Sequence, residues 1–422
     1  MLVFKFGGAS ISGTERIHGV GNILKDFAGQ KIMIIISAMG KTTNALEKVA
    51  EAFFAGRQQE ALQLFEVVKQ QHLTIAKYLL VKGYLSCEAR LTDFFTEVEW
   101  LLHDKPVRPF DYYYDQVVCT GEMLSSWIVS CYLNEAGIAN NWVDVRDIIR
   151  TDDNFREAGI DWAYSGEQVN ERVKPLFESA DVVITQGFVG STADNESTTF
   201  GREGSDYSAA IFANLLDAES QTIWKDVPSV MNADPKLFPD AVTMPELSYD
   251  EVLEMAYYGA QVIHPKTIKP LVEKNIPLLV KCFLDSSLPG TVISRYGNKN
   301  LPPIIILKQQ QALMGFHSKD YSFAGDHAVR ELYQQMEGLH LRPNMTQIGA
   351  ISFTALYDDR ADKLEQLAIM AEALFDVQVQ KGVTMLTIRH YTEETINKLL
   401  AGKKRLLVQQ TPDTIQVVYA DA

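Results

Sequence analysis

Little in this sequence points to a covalently stapled or metal-held structure. Its 422 residues include four cysteines (Cys87, Cys119, Cys131 and Cys282), with no CxxC pair and no histidine spacing suited to zinc. Buried free thiols in a reducing compartment are the expectation. Positive charge is in deficit as well: 39 Lys and Arg stand against 54 Asp and Glu, a formal net charge of −15. Nucleic-acid binding needs a concentrated basic face, so this balance argues against it. Long apolar runs are missing. None approaches the ~18 residues that cross a membrane, and Met1–Lys5 lead into no apolar stretch of the signal-peptide kind. The expectation is a cytoplasmic chain with no nucleic-acid and no membrane partner. Low-complexity segments and strict repeats are also absent. What remains is a composition of 46% hydrophobic and 22% charged residues, that of a globular protein. The length calls for two or three domains.

The first part alternates short β-branched runs with amphipathic stretches, which predicts a parallel sheet flanked by helices. Leu2–Phe6 reads as a strand opening straight into glycine. Lys31–Ser37 is almost wholly apolar, as expected where both faces are covered. Further strands are predicted near Trp142–Val145, Asp181–Thr185, Thr222–Lys225 and Pro277–Cys282, and helices near Gly121–Ala136, Ser205–Leu216 and Ser248–Tyr258. A proline-free stretch from Thr43 to about His103 reads as helices inserted between strands. The character changes at the Asn-Lys-Asn-Leu-Pro-Pro run of residues 298–303. Beyond it come strands at Ile304–Leu307, Ile348–Leu356, Val377–Val379, Thr384–Ile388, Arg405–Gln410 and Thr414–Tyr419. Helices near Asp326–Met336, Lys363–Leu374 and Glu394–Leu400 alternate with them. Two rounds of strand-helix-strand-strand suggest paired small α+β units, and the expected division is 1–297 and 298–422.

Three glycine-bearing places compete as a phosphate site. Gly40-Lys41-Thr42 looks like the end of a P-loop, but the glycine needed five residues earlier is Ile35, inside a strand. Gly19-Val20-Gly21 lies in a helical pattern and not at a strand end. The third is Phe4-Lys5-Phe6-Gly7-Gly8-Ala9-Ser10. Two glycines there let the backbone approach an anion, and Lys5 sits at the carboxyl end of its strand, where ligands collect in open α/β sheets. Ser10 and Ser12 are expected to cap the helix that follows. Alone, this motif is also an ordinary turn with a solvated lysine. Thr198-Thr199-Phe200-Gly201-Arg202-Glu203-Gly204-Ser205-Asp206 adds the other half. It offers a fork-shaped cation (Arg202), helix N-terminal amides and a first-turn carboxylate (Asp206).

Together these residues resemble the aspartate kinases, a branch of the amino acid kinase superfamily. The family's K-F-G-G-(T/S)-S is Lys5–Ser10 here, with Ala9 at the variable place. Its S-A and T-N-x-L match Ser37-Ala38 and Thr43-Asn44-Ala45-Leu46, and its (T/S)-G-E-x-x-S matches Thr120–Ser125. Gln186–Gly190 and Thr198–Ala209 match its Q-G-F-x-G and T-T-L-G-R-x-G-S-D-x-(S/T)-A. Ile223–Pro228, Asp234-Pro235 and Gly259–Pro265 complete the ordered match over residues 1 to about 293. Departures are Ser229 and Met231, where the family has glycine and tyrosine, and Gln261, where it has lysine. Lys225, Lys236 and Lys266 are candidates to replace that lost charge. Glu203 stands for a glycine, and its side chain is expected to face away from the phosphates.

The resemblance implies a three-layer amino acid kinase fold with a mainly parallel central sheet. It also implies a C-terminal α+β region of ferredoxin-like, paired ACT type. The implied reaction moves the γ-phosphoryl of ATP, with Mg²⁺ bridging its oxygens, onto the β-carboxylate of L-aspartate, the first step toward lysine, threonine and methionine. A carboxylate is already ionised near neutral pH, so no general base is required. Lys5, Gly7 and Gly8 are then expected to hold the transferring group, with Asp206 also in the catalytic set. Arg202 is expected at the substrate α-carboxylate, Glu122 with Asp206 at its ammonium, and Ser37, Thr43, Phe188 and Ser205 along the pocket. Lys5, Gly8, Ser10, Lys225, Asp226, Met231, Lys236 and Gln261 fall on the nucleotide side, and no protein ligand for a metal is assigned. Ala312–Ser318 resembles an effector-site strand, which implies lysine or threonine as effector, and a homodimer or larger homo-oligomer is expected. At this length a bifunctional form with an appended homoserine dehydrogenase is not expected. Two rivals stay open, another amino acid kinase of the glutamate 5-kinase type and a catalytically impaired amino-acid sensor. Gly201–Asp206 and Gly259–Pro265 favour aspartate over the first.

Overall fold

Leu2–Phe6 form β1 and Ile32–Ile36 form β2. Every residue of β2 is buried, as a strand covered on both faces requires. In this computed structural model the described residues are 1–260, 262–298, 300–319 and 326–420. They fall into two compact units. The first comprises Met1–Val230, Thr243–Leu253 and Gln261–Asn298, and the second Met231–Val242, Glu254–Ala260 and Lys299–Ala422.

In the first unit α1 (Thr14–Lys25) joins β1 to β2. The proline-free stretch then folds as α2 (Thr42–Phe54), α3 (Gln58–Leu79) and α4 (Tyr84–His103). Next come α5 (Phe110–Val118), α6 (Thr120–Glu135) and β3 (Asn140–Trp142). The predicted strand Trp142–Val145 is displaced toward the N-terminus. The cause is Asp144, whose carboxylate accepts the Arg146 N–H at 3.0 Å and starts a short helical turn at Val145–Asp147. The chain continues through α7 (Trp162–Gln168), β4 (Val182–Gln186), β5 (Val189–Ser191), β6 (Ser197–Thr199) and α8 (Gly204–Leu215). It then runs through β7 (Ser220–Lys225), β8 (Glu246–Ser248), α9 (Tyr249–Tyr258), α10 (Pro265–Lys274), β9 (Leu278–Cys282) and β10 (Thr291–Ser294).

Eight of these strands make one sheet in the order β3-β4-β2-β1-β7-β9-β10-β8. Only the β9–β10 pairing is antiparallel. Lys5 lies level with Ile35 on β2 and Ile223 on β7, so the carboxyl ends of three neighbouring strands finish together. Aromatic rings lock that centre. Phe6 stacks on Trp224 at 6.1 Å with 4° between the planes, and Phe4 meets the same indole edge-on at 5.7 Å. The end of β4 approaches α8 unusually closely. A Cβ at Gly187 would fall 2.5 Å from Ser205 Cβ and 2.9 Å from its Cα, so only glycine fits.

The second unit carries a six-stranded sheet ordered β12-β13-β11-β14-β16-β15. Its elements are β11 (Ile304–Ser318), α11 (Asp326–Gly338), β12 (Met345–Ile348), β13 (Ser352–Asp358) and α12 (Ala361–Ala371), followed by β14 (Phe375–Arg389), α13 (Glu393–Leu400), β15 (Lys404–Gln410) and β16 (Thr414–Ala420). Two expectations are corrected here. The strand read at Ile348–Leu356 is two strands, because Gly349 N–H donates back to Ser352 O at 2.8 Å and closes a turn. The strands read at Val377–Val379 and Thr384–Ile388 are one. The polar run between them stays paired with β11 across an irregularity at Lys308–Leu313. Ala312–Ser318 is the second half of β11.

All four cysteines are free; Cys87, Cys119 and Cys282 are buried and Cys131 is half-buried. Among the described residues no helix is long and apolar enough to cross a membrane. Gly187→Ala is expected to destabilise the first unit by about 1–3 kcal/mol, because the added methyl meets backbone and not a flexible tip. Thermal unfolding indistinguishable from the parent chain would contradict this close approach.

Candidate active site

The strand ends at the centre of the first sheet open into a cavity of about 820 Å³. β1 delivers Lys5 and then Gly7-Gly8. Gly8 lines the cavity, and its carbonyl accepts the Gly40 N–H at 3.0 Å, which ties the turn after β1 to the turn after β2. Ser37 follows β2 directly; its N–H donates to Phe6 O at 3.1 Å and its carbonyl accepts the Ser125 hydroxyl at 2.6 Å. Thr43, in the first turn of α2, lines the same space. So do Phe188, after β4, and Arg202, Ser205 and Asp206, at the start of α8.

The cavity contains a buried ion pair. Lys5 Nζ lies 2.6 Å from Asp206 Oδ1, with the two side chains 13% and 5% exposed. This pairing joins the two glycine-rich loops, and no local sequence pattern predicts it. Glu122, from the first turn of α6, is almost fully buried, and its Oε2 has no hydrogen-bond partner among the described residues. Burial pushes its carboxyl up to about 8, against the pull of the Ala38 and Glu122 backbone amides and of Lys5. A buried carboxyl with an unpartnered oxygen in a polar cavity is suited to receive an ammonium group, which would favour its ionised form.

One expectation is corrected here, and the remaining predicted residues are placed as follows. Ser10 and Ser12 do not cap the first helix. Gly13 precedes α1, the Ser10 hydroxyl donates to Trp224 O at 3.2 Å, and the Ser12 hydroxyl donates to Ala9 O at 3.2 Å. Ser10 thus pins the turn after β1 to β7. Glu203 lines the cavity as an exposed residue, expected to face away; it precedes α8 in a left-handed conformation, φ 57°. Lys225 donates to Val262 O at 2.6 Å, and Asp226 beside it is exposed. Met231 and Lys236 belong to the second unit. Gln261 lies outside the described residues.

The cavity also holds residues that the motifs do not reveal. α2 contributes Glu47, α5 contributes Asp111 and Tyr114, and a turn at residues 154–157 contributes Asn154, Phe155, Arg156 and Glu157. Behind them Asp115 is fully buried. Burial raises its carboxyl to about 6, despite hydrogen bonds from Thr199 and from the Arg156 backbone that favour the ionised form. The signal available in sequence, the Tyr112-Tyr113-Tyr114-Asp115 run just ahead of Thr120-Gly121-Glu122, has no spacing specific to a ligand.

The model of the amino acid kinase family matches residues 1–282 of the 422. The chain is 31% identical over 320 residues to lysine-sensitive aspartokinase 3 of Escherichia coli, a match covering 75% of this chain and 70% of that protein. The chain belongs to the amino acid kinase family, in its aspartokinase branch. It is also 33% identical over 302 residues to the chloroplastic bifunctional aspartokinase/homoserine dehydrogenase 2 of Zea mays. That match covers 69% of this chain and 32% of the relative, so the chain spans about a third of the length of such bifunctional aspartokinases. In fold it is similar to the E. coli aspartokinase III structure in complex with lysine and aspartate. The TM-score is 0.82 at 24% identity, with 99% of this chain and 95% of that one covered. The expected architecture, a mainly parallel kinase sheet plus an antiparallel α+β region of ACT type, is the aspartokinase fold found here.

Because the folded state holds the Glu122 carboxyl far above its ordinary value of 4.5, stability is lost as pH rises from about 4.5 to about 8, where only the unfolded chain is ionised, and levels off above that. Glu122→Gln should therefore raise Tm, with a gap over the parent that widens from about pH 5 to about pH 8 and then levels off. A gap that does not change with pH in thermal unfolding scans would contradict the buried carboxyl.

Proposed function

We propose that this chain is a cytoplasmic aspartate kinase, transferring the γ-phosphoryl group of ATP to the β-carboxylate of L-aspartate. The products are 4-phospho-L-aspartate and ADP. One observation carries the reading. A cation suited to a phosphoryl oxygen (Lys5) is held at 2.6 Å by Asp206, in the same cavity as an unpartnered buried carboxyl oxygen suited to an ammonium (Glu122). The kinship with aspartokinases supports it.

In this reading the acceptor needs no deprotonation, so the protein contributes alignment and charge neutralisation. Lys5 offsets charge on the transferring oxygens, and Asp206 fixes where that ammonium points. Gly7 and Gly8 leave the backbone open to the phosphates, and the first turn of α8 lines the same cavity through Gly204, Ser205 and Asp206. Arg202 holds the α-carboxylate as a planar fork. Glu122 and Asp206 take the ammonium, between walls set by Ser37, Thr43, Phe188 and Ser205. Lys225 and Asp226, at the end of β7, are assigned to the nucleotide. Among the described residues no group of three or more His, Cys, Asp or Glu side chains gathers as a metal site. In this reading Mg²⁺ would enter with ATP and supply further charge neutralisation. We assign the second unit to regulation and self-association, with lysine or threonine as effector; the lysine-sensitive relative favours lysine.

ADP release measured with aspartate and with glutamate as acceptors tests the reading. Turnover with aspartate alone is expected, and addition of lysine or threonine to the same assay reads the effector. Lys5→Ala should lower kcat at least ~10²-fold with the fold intact, as loss of one preorganised charge contact does. Turnover only with glutamate, none with either acceptor, or near-normal turnover by Lys5→Ala would sink this assignment.

A further inference from the structure

Arg156 lines the cavity but has no place in the chemistry above. Its backbone is left-handed, φ 68°, a conformation that a residue with a Cβ adopts only under constraint. Nine non-glycine residues among those described have such a backbone, and three of them, Arg156, Phe188 and Glu203, line this one cavity. The constraint on Arg156 is visible. Asp115 Oδ2 accepts the Arg156 N–H at 2.8 Å and the Thr199 N–H at 2.9 Å, and its Oδ1 accepts the Thr199 hydroxyl at 2.6 Å. One buried carboxylate therefore fixes both the turn bearing Arg156 and the strand that leads to Arg202. The two loops touch directly: a Cβ at Gly201 would lie 2.8 Å from Arg156 O.

The side chain is held as deliberately as the backbone. The guanidinium lies 4.4 Å over the Tyr114 ring and donates to Asp111 Oδ1 at 2.9 Å. The Tyr114 hydroxyl in turn donates to Glu47 at 2.7 Å, which fixes the ring beneath the cation. The charge balance shows what such a cation is for. The cavity lining carries five carboxylates (Glu47, Asp111, Glu157, Glu203 and Asp206) and the Glu122 carboxyl, which burial holds largely protonated, against three cations (Lys5, Arg156 and Arg202). Lys5 is already paired with Asp206. A ligand with two carboxylates entering this acidic space is repelled unless more than one cation meets it. The Asp111 side chain is 54% exposed, so its ion pair with Arg156 is weak and readily exchanged.

We infer that Arg156 is a second specificity-determining cation, which exchanges Asp111 for the substrate α-carboxylate and shares that group with Arg202, while Asp115 is its positioning residue. This inference rests on the reading of aspartate as phosphoryl acceptor. It accounts for the retention of a strained arginine where glycine would fold more easily.

The test is Arg156→Gly and Arg156→Lys in the full chain, with KM for aspartate, KM for ATP and Tm measured for each. Arg156→Gly should raise KM for aspartate about tenfold, the loss of a charge-assisted hydrogen bond, with KM for ATP unchanged and Tm equal or higher. Arg156→Lys should fall between the two, since it keeps charge but not the fork. A KM for aspartate within twofold of the parent after Arg156→Gly overturns the inference. So does a rise in both KM values together with a lowered Tm, the signature of a merely structural residue. A parent chain that releases no ADP with aspartate sinks the proposed function instead, which separates the two failures.

Discussion

Everything in the first unit converges on the 2.6 Å pair between Lys5 and Asp206. The two residues are 201 positions apart, one at the carboxyl end of β1 and the other in the first turn of α8. Burying both charges costs solvation, and the cost is offset only because each supplies the other's counterion at short range. The rest of the unit is arranged to permit that contact. β1 lies between β2 and β7 so that its carboxyl end is central. Gly187 lets α8 approach β4, and the rings of Phe6 and Trp224 hold β1 and β7 in register beneath the pair.

Around this pair the cavity holds groups that folding alone does not favour. Glu122 is a buried carboxyl with an unpartnered oxygen, Asp115 a buried carboxyl raised to about 6, and Arg156, Phe188 and Glu203 are left-handed residues with side chains. Each lowers the stability of the empty protein. Such a concentration of unfavourable groups in and directly behind one cavity is the physical mark of a site adapted to a ligand and not to stability. The acid surplus has the same sense. It favours an ammonium-bearing ligand and makes the few cations decisive for a carboxylate.

The sequence was most legible where function is local. The Lys5–Gly8 turn and the Gly201–Asp206 turn could be read because each motif needs its residues at fixed spacing beside a strand or helix end. The parallel sheet was legible for a similar reason, since a strand covered on both faces reads as an unbroken apolar run such as Ile32–Ile36. The wall made by Glu47, Asp111, Tyr114 and Arg156 was not legible, because packing of α2 and α5 brings distant residues together and leaves no short pattern. Ser10 was misread as a cap, since a serine beside a helix start suits both roles, and only the structure shows Trp224 O within its reach. In the second unit, polar runs with glycine read as turns, yet β14 stays continuous through Gln380-Lys381-Gly382 because β11 pairs with it on both sides of the irregularity.

The central claim is that Lys5 and Asp206 act as one unit that joins the phosphate half of the site to the amino-acid half. A double-mutant cycle with Lys5→Met, Asp206→Asn and the pair together, read as kcat/KM for aspartate, tests it most directly. The account predicts strong non-additivity, with the double variant scarcely worse than the poorer single one. Losses that simply multiply would contradict it, and would mean that the two loops contribute independently.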